Sequence, residues 1–259
     1  MSAFWSVYDA LAKALPDEAL QDVLCGLHWF AVRGQSGMGL AMTPGEGPNA
    51  LPDAGHYADA AAGFAKLSDL ARLAHSWNFA EAALGLAAIN AGFNSPAAVT
   101  KAFATDHRSL PTENIFDYLV PDLRGRKVAV IGHFAGLEKL REICTLSILE
   151  RKPLPGDLPD PACEAILPEQ DIVIATATTL INKTLPRLME LSRGARFILA
   201  GPSTPLTPAL FDYGIDTLAG LVVEDPAAIW RVLSQGGKHQ LFGTGARMVT
   251  ISRRKAAAA

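Results

Sequence analysis

Three short segments carry side chains able to do chemistry, and each follows an apolar run. Gly132 and His133 follow Val128–Ile131. Thr176, Thr178, Asn182 and Thr184 follow Asp171–Ala175, and Gly201 and Ser203 follow Ala195–Ala200. Short continuous apolar runs suit strands buried on both faces, as in a parallel sheet. Ligands of such sheets sit beyond the strands' carboxyl ends. Glycine admits close backbone approach there, while hydroxyl and amide side chains donate and accept hydrogen bonds. The three turns are therefore expected to converge on one polar ligand. Histidine can act near neutrality as metal ligand, acid or base, so His133 is the most versatile member.

Two acids extend the set. Glu150 closes the run TLSILE, 18 residues after Gly132, close to the spacing of a ribose-binding carboxylate. Asp157 lies in a proline-rich loop after it, where an exposed turn acid is an equal reading. His133, Glu150 and Asp157 are the candidate transition-metal ligands, although no close motif such as His-x-x-x-His supports them. The dinucleotide fingerprint is incomplete, because bulky His133 and Phe134 stand where a phosphate needs bare backbone. The bland reading of His133 is a cap on the helix expected over Leu137–Cys144. Ser203 lacks the context of a nucleophile elbow.

The elements that position these residues fall into two groups. Residues 4–15 have helical spacing. Val23–Arg33 reads as a strand with His28 packed inside it, and Met38–Thr43 pairs with it through the turn GQSG. Gly37 and Gly39 shape that hairpin or admit a close neighbour. Pro44–Gly55 reads as a loop, and Ala58–Phe64 and Leu67–Ala74 as helical pieces. The alanine-dense stretch from Asn78 suits a buried helix under the hairpin. Asn90 and Asn94 are expected to cap helix ends, with a place facing a cleft as the alternative, and Ser95-Pro96 opens a further helix. A boundary near residue 115 divides a small α+β domain, 1–114, from a Rossmann-like α/β domain, 115–259, with a mainly parallel sheet.

Composition bounds the function. Of the 259 residues 49% are hydrophobic and 19% charged, enough for a real core. A formal charge of -3 gives no reason to expect nucleic acid or an anionic membrane. Three widely spaced cysteines fit a reducing cytoplasm rather than a disulfide framework. No apolar run reaches the length of a membrane span, and the first residues do not read as a signal peptide. Met38–Thr43 and Met248–Ile251 read as edge strands, which invites a homodimer.

The segments VIGHF, DIVIATATTLINKTL and GPSTPLTPALFDYGIDTLAG resemble a prokaryotic family of unknown function that bears a heavy-metal chelation label. GMGLAMT and LGLAAINA resemble the small domain that accompanies it. The resemblance implies an enolase-N-terminal-like domain joined to a Rossmann-like domain with a cleft between them, and a role in binding or handling a metal ion or metal chelate. Two functions stand open: a binding protein for a metal chelate or other anionic small molecule, or an enzyme of transferase or lyase type using a nucleotide-like cofactor.

Overall fold

The computed structural model describes residues 3–45 and 63–253. Most of the loop expected over 44–55 and of the helical piece expected over 58–64 lies outside the described residues. The described chain forms two sheets. Strands β1 (Leu20–Cys25), β2 (Trp29–Gly34) and β3 (Met38–Met42) make an antiparallel sheet in that order. The second sheet has seven strands: β4 (Lys127–Ile131), β5 (Thr145–Glu150), β6 (Leu158–Pro159), β7 (Ile172–Thr176), β8 (Arg196–Ala200), β9 (Ile215–Val223) and β10 (Ala246–Ser252). Its order is β10-β9-β8-β7-β4-β5-β6. Every pair is parallel except β10 on β9. The fold is thus the mixed α/β arrangement expected, and β4 lies between β5 and β7, where the winding direction switches.

Two expectations are corrected. Val23–Arg33 is not one strand: the Gly26 N–H closes on the Trp29 carbonyl at 3.1 Å, and Gly26–His28 forms the turn between β1 and β2. His28 therefore sits in that turn, half-buried, rather than inside a strand. The connection after β4 contains no α-helix but a single 3-10 turn, Glu138–Glu142. Leu137, Leu140 and Ile143 recur every third residue, which is the 3-10 period rather than the 3.6-residue one.

Helix α1 (Ser6–Lys13) packs on the 3-10 turns Arg72–His75 and Pro208–Tyr213, α2 (Leu67–Ala71) packs on α3 (Phe79–Phe93), α3 packs on β2 and β3, and α4 (Pro96–Phe103) follows. The Asn78 side chain accepts the Ala80 and Glu81 N–H groups at 3.0 and 3.3 Å and starts α3. Alanine and glycine let α3 be buried almost throughout. A Cβ on Gly39 of β3 would stand 2.0 Å from the Ala91 nitrogen, and one on Gly85 2.1 Å from that of Ala74. Hydrogen at these positions sets the helix directly on its neighbours' backbone. One apolar cluster runs from Val7 and Phe30 through α3 to Val173, Leu199 and Ile251, so both sheets share a core.

The amide side chains of Asn90 and Asn94 tie the two sheets together; Asn94 holds the C-cap position of α3 as expected, whereas Asn90 lies within the helix. Asn90 Nδ2 donates to the Leu40 carbonyl at 2.7 Å and the Ser203 carbonyl at 3.0 Å. Asn94 Nδ2 donates to the Thr204 and Leu221 carbonyls at 2.9 and 3.0 Å, and Asn94 Oδ1 accepts the Leu206 N–H at 2.9 Å. Ser95 is the cap expected, accepting the Ala98 N–H at 3.2 Å. β3 is an edge strand of the small sheet, as expected, and its end is held by the same chain: the Met42 N–H donates to Ser203 Oγ at 2.9 Å. β10 closes one edge of the large sheet.

Gly39→Ala should destabilise the protein by about 3 kcal/mol, because the strand and α3 must part to admit a methyl group. Gly194→Ala, where an added Cβ meets nothing within 4 Å, should change stability by less than ~0.5 kcal/mol. Urea unfolding of the two variants checks both.

Candidate functional site

The carboxyl end of β4 meets that of β7. A Cβ on Gly132 would approach Thr176 Cγ2 to 2.9 Å, so glycine lets the two turns touch; its φ of +98° demands glycine as well. On one side of this contact lie His133, Glu150 and Asp157. Glu150 Oε2 accepts the His133 N–H at 2.8 Å, and Oε1 accepts those of Arg151 at 2.7 Å and Lys152 at 3.4 Å. The carboxylate thus buckles its own strand end to the turn after β4. Asp157 Oδ2 accepts the Leu154 N–H and faces His133 Nδ1, each at 3.0 Å. Only 1% of its side chain is exposed, so it lies beneath His133 rather than at a rim.

On the other side lie the threonines. Thr176 and Thr178 pair through their hydroxyls at 3.1 Å. Helix α5 (Ile115–Leu123) leads into β4, and helix α6 (Cys163–Ile166) precedes β7. Beyond β7 run α7 (Thr178–Ile181) and α8 (Leu185–Leu191), and α9 (Pro226–Ser234) lies between β9 and β10. Between α7 and α8, Asn182 Oδ1 accepts the Thr184 N–H at 3.1 Å and its hydroxyl at 2.7 Å. That ring spans Lys183, whose φ of 66° lies in the left-handed region.

A cleft of about 300 Å³ opens between the sheets. One wall is Met42–Gly45, at the end of β3, with Phe79 at the start of α3; the other is Glu150–Lys152 with Thr178, Ile181 and Asn182. The Arg151 guanidinium lies 5.9 Å from the Phe79 ring centroid, across the cleft.

The expected residues are therefore not gathered into one pocket. Glu150, Thr178 and Asn182 line the cleft. His133 and Asp157 stand behind Glu150, Thr176 supports Thr178, and Thr184 fixes Asn182. Gly201 lines a second cavity of about 370 Å³, with Phe116, Phe134 and Phe242, on the other side of the turn after β4. Ser203 is only 2% exposed, and its hydroxyl holds β3. It therefore stands behind the Met42 wall of the cleft rather than lining it. Sequence reasoning missed Arg151, Lys152, Phe79 and Lys183. The basic pair directly after Glu150 was a legible signal, and Lys183 stood between two named residues.

The residues do not fit a directly ligated metal ion. Both oxygens of Glu150 are taken by backbone N–H groups, and His133 and Asp157 face each other. Among the described residues no group of three or more His, Cys, Asp or Glu side chains is placed to hold one. In this structure His133, Glu150 and Asp157 serve as a brace for the loop.

With this geometry in view, two family matches place the chain. The family DUF364, described as "Putative heavy-metal chelation", matches residues 114–252. The chain belongs to this family. DUF4213, which carries the same description, matches residues 8–93. A crystal structure of a DUF364 protein of unknown function from Desulfitobacterium hafniense is 37% identical, with a TM-score of 0.86 over 98% of this chain and 100% of that one. A second, from Pyrococcus horikoshii, is 22% identical with a TM-score of 0.76 over 97% and 100% of the two chains, and shows the shared fold. An uncharacterized protein of Methanocaldococcus jannaschii is 28% identical over 197 residues, 71% of each chain. No helix among the described residues is long and apolar enough to cross a membrane.

Glu150→Ala should cost about 2 kcal/mol, because three backbone N–H groups lose their acceptor. Amide hydrogen exchange at His133 and Arg151 should quicken in the same variant, which nuclear magnetic resonance can read directly.

Proposed function

We propose that the chain binds a small carboxylate-rich anion, free or as a metal chelate, in the cleft between its two sheets. The basic pair Arg151–Lys152 carries this reading. Its backbone is fixed by Glu150, and it shares one cleft wall with the hydroxyl and amide groups of Thr178 and Asn182. Cationic and neutral donors side by side on one wall suit carboxylate groups, since charge-assisted hydrogen bonds are the stronger kind. The heavy-metal description of the family fits a chelate better than a bare ion, because a chelate brings its own coordination shell to a site without a ligand cluster. The Phe79 ring adds an apolar contact for the ligand's carbon skeleton.

Citrate and its nickel complex are suitable probes. Both should saturate the protein in calorimetric titration, and free nickel should not. Arg151→Ala should weaken citrate binding roughly tenfold, the loss of one charge-assisted hydrogen bond. Added salt should weaken it further. Saturable binding of free nickel with no binding of citrate would reverse the assignment.

A further inference from the structure

Lys183 is 4% exposed and takes no part in lining the cleft, yet it follows Asn182, which does. Its backbone is held in a left-handed conformation that non-glycine residues seldom adopt. Its Nζ donates to the Ala74 carbonyl at 2.6 Å and the Leu180 carbonyl at 3.3 Å, and lies 5.0 Å from the Tyr8 ring centroid. Ala74 belongs to the turn Arg72–His75, which packs on α3, the helix that begins with Phe79 of one cleft wall. Leu180 belongs to α7, which carries Thr178 of the other. A single ammonium therefore reaches both walls.

The charged groups around it leave that ammonium uncompensated. Tyr8 of α1 faces it, its own hydroxyl donating to the Leu180 carbonyl at 3.0 Å. Asp9 of α1 is spent on His75 of the 72–75 turn at 2.9 Å. Glu81 of α3 accepts from Ser76. Among the described residues no carboxylate lies within salt-bridge distance of Lys183. Burial pushes the amine down to about 7, while the carbonyls and the Tyr8 face favour its charged form.

We propose that Lys183 is the positioning residue of the cleft and its proton-linked group: its ammonium fastens the two walls together, and an anion bound between them draws a proton onto it. The second half rests on the anionic ligand proposed above; the first does not. Linkage requires the coupling to be mutual, so an anion that favours the charged amine is itself bound more tightly when the amine is charged.

Citrate is titrated calorimetrically into the full chain at pH 7.5, in two buffers of different ionisation heat. The parent should take up protons on binding. Lys183→Met should bind about tenfold more weakly and lose most of that uptake, whereas His133→Asn should keep it. Equal uptake by parent and Lys183→Met overturns the proton link. If Lys183→Met does not fold, the Lys183 signal is followed by nuclear magnetic resonance in the parent. Its midpoint should rise by at least about half a pH unit with citrate, and an unmoved midpoint overturns the link. Amide exchange across residues 178–184 tests the fastening without any ligand. Corrected for intrinsic rates, protection should fall several-fold between pH 6 and pH 8.5 in the parent; constant protection overturns the fastening. If citrate does not bind but protection falls, the anionic-ligand reading fails and the fastening stands.

Discussion

A helix buried on every side needs neighbours that can approach its backbone and partners for whatever polar groups it carries. α3 meets the first need with small residues and with Gly39 opposite Ala91. It meets the second in part through Asn90 and Asn94, whose amide nitrogens bind carbonyls of both sheets, while the Asn90 side-chain oxygen is buried without a partner among the described residues. The cleft depends on this arrangement. Met42–Gly45 and Phe79 form one wall only because β3 and α3 are locked together, and they face the other wall only because Asn90 and Asn94 fix α3 to the 203–206 turn and β9. Losing the partners of these buried amide nitrogens would cost more than the bonds themselves contribute, which favours this alignment of the two sheets.

The large sheet was legible because its strands are written as continuous apolar runs, and the switch at β4 follows from the glycine and the acid that bracket it. The small unit was read less well. Val23–Arg33 is apolar on both sides of its turn, so hydrophobicity alone gives no break at Gly26. Leu137, Leu140 and Ile143 fit a helix on casual inspection, and only their strict three-residue spacing separates the tighter turn from it.

The site was legible as a list of residues but not as an arrangement. Glu150, Thr178 and Asn182 do reach one cleft, since strand ends share an edge. Ser203 does not, because its hydroxyl is buried against the Met42 N–H at the end of β3, a long-range packing fact with no local mark. The two carboxylates look in sequence like ligands or catalysts. In the structure they hold backbone N–H groups and an imidazole, which shapes the loops, and Arg151 and Lys152 line the cleft beside them. A metal proposal built on side-chain types alone misses that distinction, because the capacity of a carboxylate to bind a cation depends on what already occupies its lone pairs.

The partners of Asn94 also have a bearing on synthesis. Thr204, Leu206 and Leu221 lie 110, 112 and 127 residues further along the chain. At ribosomal speeds this separates the amide from its acceptors by on the order of ten seconds. Throughout that interval the nascent small sheet holds a nearly uncharged helix whose outer flank has nothing to rest on. The first third of the chain is thus a surface awaiting its cover, and the emerging polypeptide has its greatest need of a chaperone before the last strands leave the tunnel.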